Sequence, residues 1–165
     1  MIALQSFYFF ETAIEMVAAK LCCGARYRDG TAPVLLHRAT TIDDALIKMR
    51  TMGRTKPKRI LKWNKTKEIN GNVRNLLSAN EGFYAVCRNH SARLNEIRIV
   101  SNHIAHSSAN TRNEFVSVVR RRLGAVPIRL PRPGAFVLQR TSNGNTILEE
   151  YVVTLGVIVK DAAKL

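Results

Sequence analysis

The chain has 165 residues, of which 26 are lysine or arginine and 12 are aspartate or glutamate, giving a formal net charge of +14. Hydrophobic residues make up 46% of it, enough to bury a core, so the composition excludes a disordered polycation. The length predicts one domain over residues 1–165. Three cysteines without paired spacing exclude a disulfide framework and predict a reducing, cytoplasmic location.

The N-terminal segment predicts a helix that ends near Gly24. Its apolar residues recur at alternating spacings of three and four, the period of a helix facing a bundle. Glu11 and Glu15 interrupt the segment, and carboxylates at mid-span are unfavourable in hydrocarbon, so a membrane span is not expected. A basic start and a small-residue cleavage site are both missing, so no secretory signal is expected. The apolar positions are Ala3, Phe7, Phe10, Ile14, Val17 and Leu21.

Two shorter helices are predicted next. Thr41 can cap a helix that ends at Gly53. After a basic loop, the apolar residues between Ile69 and Leu77 predict a short third helix, which Gly71 weakens.

Three pairs with the spacing of a capping box predict the later helices. Ser78 with Glu81 opens the longest one, at about residues 79–107. Thr111 with Glu114 opens a helix that ends at Gly124, and Thr146 with Glu149 opens the last helix.

A proline-rich segment separates the last two predicted helices. Pro127, Pro131 and Pro133 disfavour regular helix to about residue 140, where Ala135 to Leu138 could pair as a strand. The expected fold is therefore an all-α helical bundle with a proline-rich extended arm before the last helix.

Positive charge is concentrated in the middle of the chain, where residues 51–100 contain 11 basic and 3 acidic residues. The densest part, here called the basic block, surrounds Trp63. Such a block favours a polyanion, and nucleic acid in particular; the alternative is a solvated loop. Trp63 either stacks on a base or anchors the core. The basic block consists of Arg54, Lys56, Lys58, Arg59, Lys62, Lys65 and Lys67.

Several kinds of chemistry are not expected from this sequence. It has no glycine-rich phosphate loop, and its acidic residues are too scattered for a two-metal nuclease. His103 with His106, or Cys87 with His90, would give two metal ligands where structural zinc needs four. Neither a metal nor a cofactor is therefore expected.

A group of polar side chains is predicted on the longest helix. Arg98, Asn102 and His106 are spaced four residues apart and would share one stripe, with His103 beside them. Histidine serves as a general acid or base near neutral pH, and a guanidinium group binds phosphate or stabilises its charge. The alternative is a solvated helix face.

The run from Glu96 to His106, which reads EIRIVSNHIAH, resembles the signature helix of HEPN domains, written Arg-Asn, three residues, His. The resemblance is closest to the stand-alone HEPN proteins of toxin and defence systems. It implies a metal-independent endoribonuclease in which the ribose 2′-OH attacks the neighbouring phosphate. It also implies a homodimer whose two signature helices line one cleft, and an antitoxin or other partner protein. His106 would act as general acid or base, Asn102 would position the site, and Arg98 would stabilise the phosphate.

One position departs from the HEPN pattern, because Ser101 stands where the family has arginine. Arg98 lies one turn earlier, and Arg98 to His103 fits a looser Arg-x4-His spacing, so two registers are open. The expected function is an RNA-binding endoribonuclease; the alternative is a catalytically degraded module that binds RNA or a partner protein. The predicted RNA contacts are Lys56, Lys58, Arg59, Lys62, Lys65, Lys67 and Arg112.

Overall fold

The computed structural model describes residues 2–163, with side chains from residue 4 onward. This range contains eight helices and no strand, which confirms the all-α prediction; two isolated β-bridges join Leu35 to Leu77 and Arg140 to Thr146. The helices are α1 (Ile2–Cys22), α2 (Ile42–Thr51), α3 (Thr66–Val73), α4 (Gly82–Asn89), α5 (Ser91–Ala105), α6 (Ala109–Leu123), α7 (Pro133–Val137) and α8 (Ile147–Ala163).

The N-terminal helix follows its predicted apolar period. Phe7, Phe10, Ile14 and Leu21 are all buried. The helix ends where expected, because Gly24 adopts a φ of 88°. This left-handed turn lets the Gly24 and Ala25 amides donate to the carbonyls of Leu21 and Lys20, a Schellman motif that satisfies the last turn.

Local capping interactions begin α2 and α8 at the predicted residues. Thr41 accepts a hydrogen bond from the Asp44 amide at 3.1 Å. At the start of α8, Glu149 accepts from the Thr146 amide at 2.6 Å, and Thr146 Oγ1 accepts from the Glu149 amide at 3.2 Å. These boundaries depend on residues within one turn of each other.

The predicted long helix over residues 79–107 is wrong, because the chain forms two helices there. His90 separates α4 from α5 with φ −99° and ψ 9°, outside the helical region. Asn89, His90 and Ser91 all have low helix propensity, so this is a weak point at which packing can redirect the chain.

The predicted capping box of Ser78 and Glu81 is also wrong. The buried Glu81 carboxylate accepts instead from the Tyr27 hydroxyl and the Val34 amide, which lie in the loop between α1 and α2. Glu81 therefore ties that loop to the start of α4, and this long-range use of the carboxylate displaces the local one.

Two further boundaries differ from the prediction. α6 begins at Ala109, because Ser108 is its N-cap and Thr111, predicted as the cap, completes the box at the third position. The proline-rich arm contains the short helix α7 in place of a strand, with Pro133 at its first position. Proline lacks an amide that would be unpaired there anyway, so it can begin a helix that it could not continue.

The buried side chains of all eight helices form one core, and α5 lies at its centre. α5 packs against α1, α4, α6, α7 and α8. Its residues from Glu96 to Ser101 are all buried. No helix among residues 2–163 has the length and apolar character needed to cross a membrane.

The cysteines are predicted to differ in reactivity. Burial raises the pKa of Cys22 and of Cys87 to about 12. Partial burial also raises the pKa of Cys23, but this thiol is partly exposed and a reagent can reach it. A thiol reagent such as DTNB should label one thiol per native chain and three after unfolding, because the thiolate is the reactive form. Cys23→Ser should abolish the native labelling. Rapid labelling of a Cys23→Ser chain without denaturant would contradict the buried positions.

Candidate nucleic-acid interface

The basic block, apart from Lys67 in the first turn of α3, lies in a loop that is fixed to the helices around it. Arg54 donates to the carbonyls of Met49 and Gly71, and the Asn72 amide donates to the Lys62 carbonyl at 2.8 Å. The loop therefore holds its exposed cations in defined positions.

Trp63 anchors this loop in the core. Its side chain is 2% exposed, its indole Nε1 donates to Glu15 at 3.2 Å, and its amide donates to Glu11 at 3.3 Å. Of the two interpretations open for Trp63, the structure supports the core anchor, because the buried ring offers no face for a base.

A polar cleft of about 210 Å³ brings the basic block against α5. Arg98 and Asn102 come from α5, and Lys62 and Lys65 come from the basic block. The two pairs are separated by more than 30 positions in the sequence, yet they line one cleft. Asn64 and Glu68 complete the lining.

The Arg98 side chain is only 9% exposed, and hydrogen bonds hold it in a fixed orientation. Its Nε and Nη2 both donate to Asn95 Oδ1, at 3.2 and 3.0 Å. Nη2 also lies 3.6 Å from Glu114 on α6. Within residues 2–163, no hydrogen bond uses Nη1 of Arg98 or the side-chain amide of Asn102, so both can donate to a ligand in the cleft.

The cleft has a positive charge. Its one carboxylate, Glu68, forms an ion pair with Lys58 at 2.9 Å, and this hydrogen bond lowers the pKa of Glu68. Glu68 therefore stays ionised and is neutralised by Lys58. The ammonium groups of Lys62 and Lys65 form no ion pair with the described residues. Lys62 and Lys65 thus add two unpaired cations to the cleft, while Arg98 is paired with Glu114 and Glu68 with Lys58.

The predicted stripe of Arg98, Asn102 and His106 does not form, because α5 ends at Ala105. His106 is exposed and has an extended backbone with φ −139° and ψ 91°. Its amide donates to the Asn102 carbonyl at 2.8 Å, so the two residues are one turn apart. His106 is not among the residues that line the cleft.

His103, the alternative register, packs between α5 and α6. Its Nδ1 lies 3.0 Å from Thr111 Oγ1, and its ring stacks on Phe115 with centroids 5.0 Å apart. These contacts fix the α5–α6 corner, and His103 is not among the residues that line the cleft.

Ser101 is 5% exposed. Arginine at this position would bury a guanidinium group, which is unfavourable unless that group finds a partner. The buried position therefore disfavours the arginine of the HEPN pattern at residue 101 in this fold.

The remaining predicted RNA contacts are dispersed. Lys56, Lys67 and Arg112 are exposed outside the cleft, and Lys58 is paired with Glu68. Arg59 lines a different cleft, next to Glu11 and Glu15, whose carboxylates would repel a phosphate group.

Little of the surface of α5 is exposed for the predicted homodimer interface. Five helices surround α5, and its exposed residues are near its ends and at Asn95. A symmetric contact through this helix would have to use one of its ends or the surface around Asn95. The exposed large apolar side chains instead include Tyr8 and Phe9 on α1 and Val153 on α8.

Sequence reasoning missed two residues of the cleft, Asn64 and Glu68. Glu68 carried a usable signal, because it follows the seven cations of the basic block directly and is the first acid after them. Asn64 carried no such signal, since its place in the cleft depends on the position of α5.

No group of three or more His, Cys, Asp or Glu side chains that could hold a metal ion occurs within the described range. The comparisons with known proteins add no relative: no family model, curated protein or solved structure matches the chain. Functional inference therefore depends on the cleft formed by the basic block and α5.

Proposed function

We propose that this protein binds RNA, with the phosphate backbone entering the cleft between the basic block and α5. The observation that carries the proposal is the meeting of Lys62 and Lys65 with Arg98 and Asn102 around one polar cleft. Guanidinium and ammonium groups bind phosphate oxygens, and the Asn102 amide can donate to phosphate or a base edge. The resemblance of the α5 sequence to the HEPN signature favours RNA over DNA.

Salt dependence tests this proposal. Each phosphate contact on a single strand contributes about 0.7 to the slope of log affinity against log salt. Lys62→Ala with Lys65→Ala should therefore flatten the slope for single-stranded RNA by about 1.4. Fluorescence anisotropy with a labelled oligonucleotide at several salt concentrations measures this slope.

The matched control removes two exposed cations elsewhere, Lys20 and Arg28. The Lys20→Ala, Arg28→Ala chain has the same net charge as the cleft variant and should keep the native slope. Equal flattening in both variants would mean that RNA affinity depends on the overall charge of the protein and not on the cleft.

A second candidate function is metal-independent cleavage of the bound RNA. The observation that favours it is the exposed imidazole of His106, one turn beyond Asn102. We propose that the ribose 2′-OH attacks the phosphorus while the P–O5′ bond breaks, which gives a 2′,3′-cyclic phosphate and a 5′-OH. His106 takes the proton from the 2′-OH or gives one to the leaving 5′-oxygen, while Arg98 binds the phosphate. This is the toxin or defence type of HEPN activity, which includes an antitoxin or other partner protein.

Cleavage is tested with end-labelled RNA in chelator-treated buffer. His106→Ala should lower the rate by about 10² to 10⁴, the contribution of one general acid or base, with RNA affinity unchanged. His37→Ala, which removes another exposed histidine, should leave the rate unchanged. Absence of products carrying a 2′,3′-cyclic phosphate from the native chain would leave RNA binding as the function.

A further inference from the structure

A second cleft, of about 410 Å³, lies at the junction of α4 and α5, away from the basic block. Arg93 and Glu96 come from α5, and Arg121 and Arg122 come from the last turn of α6. Arg93 and Glu96 lie on the side of α5 opposite Arg98 and Asn102, since each residue advances about 100° around a helix. The two clefts are therefore separate. Asn89, His90 and Ala92 complete the lining of this one.

Three guanidinium groups converge on one buried carboxylate in this cleft. Glu96 Oε1 accepts from Arg122 Nε at 2.7 Å and from Arg93 Nη1 at 3.2 Å. Arg121 Nη1 lies 3.6 Å from Oε2, and the Tyr151 hydroxyl donates to Oε1 at 3.0 Å. Glu96 is 4% exposed, so this network sets the position of the arginines.

The network contains more positive charge than its carboxylates balance. Arg122 also donates to Glu150 at 2.8 Å, which leaves three guanidinium groups for two carboxylates. At the rim, His90 lies 3.8 Å from Asp161. The side chains of Arg121 and Arg93 are 54% and 38% exposed, so both can turn donors toward a ligand.

Arg122 is engaged within the protein. Its Nε donates to Glu96 and its Nη1 to Glu150, its guanidinium carbon lies 5.6 Å from the centre of the Tyr151 ring, and Nη2 is shielded from solvent. Arg122 therefore holds Glu96 in place, and Arg93 and Arg121 are the arginines of this cleft that a ligand can reach. A favourable interaction of cations with the C-terminal dipole of α6 would not require three arginines to converge.

We infer that this cleft binds a phosphate group through Arg93 and Arg121, which Glu96 and Arg122 hold in position. A phosphate supplies several acceptor oxygens and the negative charge that the cluster lacks. The lining contains no Phe, Tyr or Trp and one apolar residue, Ala92, so recognition is by charge and not by stacking. The phosphate belongs either to a small molecule or to the end of a nucleic acid.

The test uses pyrophosphate as the probe, with isothermal titration calorimetry on the full chain. Arg121→Ala is the informative variant, because its guanidinium is half exposed and its 3.6 Å contact contributes little to the fold. We expect saturable binding that weakens about tenfold or more in Arg121→Ala. The neighbouring Arg120, which is exposed and does not line the cleft, provides the control Arg120→Ala, expected to bind as the native chain does.

Two further arms complete the experiment. Lys62→Ala with Lys65→Ala alters the other cleft that could take up phosphate, so the Arg121-dependent binding of pyrophosphate should persist in this variant. This inference can therefore stand or fall independently of the RNA-binding proposal. RNA oligonucleotides with and without a 5′-phosphate identify the source of the phosphate group. An Arg121-dependent preference for the phosphorylated end assigns the cleft to nucleic-acid ends. Absence of this preference assigns the cleft to small phosphates. No saturable binding of pyrophosphate or of either oligonucleotide, or equal weakening by Arg120→Ala and Arg121→Ala, would overturn the inference.

Discussion

Replacing Glu96 by glutamine should lower the free energy of unfolding by about 3 kcal/mol or more. Glu96 is 4% exposed and is the common acceptor for Arg93, Arg122 and Tyr151. Removing one partner of a buried ion pair leaves an uncompensated charge, which costs about 3–5 kcal/mol. Urea unfolding followed by circular dichroism measures the change as a shift of the midpoint at constant slope.

The control for this prediction is Glu114→Gln. Glu114 also lies near an arginine, at 3.6 Å from Arg98, but its side chain is 47% exposed. Exposed ion pairs contribute about 0–1 kcal/mol, so this variant should stay close to the native protein. A Glu96→Gln chain as stable as Glu114→Gln would show that water screens the cluster around Glu96.

Trp63→Ala should destabilise the protein by about 3–5 kcal/mol, the usual loss on truncating a large buried aromatic residue. Trp63 is 2% exposed, and its indole donates to Glu15. Because Trp63 is the one tryptophan in the chain, unfolding has to be followed by circular dichroism. Ile60→Ala, at a residue in the same loop that is 72% exposed, should change stability by less than about 0.5 kcal/mol.

Trp63→Phe separates packing from base stacking. Phenylalanine keeps an aromatic ring in the core but loses the hydrogen bond to Glu15, so the variant should fold and lose part of the stability. Its RNA affinity at a temperature where it is fully folded should equal that of the native chain. A selective loss of RNA affinity in folded Trp63→Phe would show that the ring leaves the core to contact a base.

The sequence by itself determined the helical class and the boundaries that depend on neighbouring residues. The apolar period from Phe7 to Leu21 produced α1, and Thr41 began α2 through a bond to the amide three residues later. Thr146 and Glu149 cap α8 in the same way. These interactions close within one turn, so the sequence alone contains both partners.

The same kind of local signal failed where a distant partner competed for the residue. Glu81 has the spacing of a capping residue, but Tyr27 and Val34, more than 45 positions away, take its carboxylate. Ser108, and not Thr111, begins α6, because the corner after α5 is tightened by Thr111 donating to the His106 carbonyl at 2.6 Å. A capping pattern indicates which local hydrogen bonds a side chain can make, whereas packing decides whether it makes them.

The tertiary structure alone decided which predicted site residues meet. The sequence predicted the basic block and the α5 group separately, and the fold places Lys62 and Lys65 beside Arg98 and Asn102. It also ends α5 at Ala105, which removes His106 from the predicted stripe, and it buries Ser101. The arginine cluster around Glu96 joins α5, α6 and α8 over 55 positions of sequence. Helical spacing fixes the face of a residue relative to its own helix, but the neighbour of that face depends on how the helices pack.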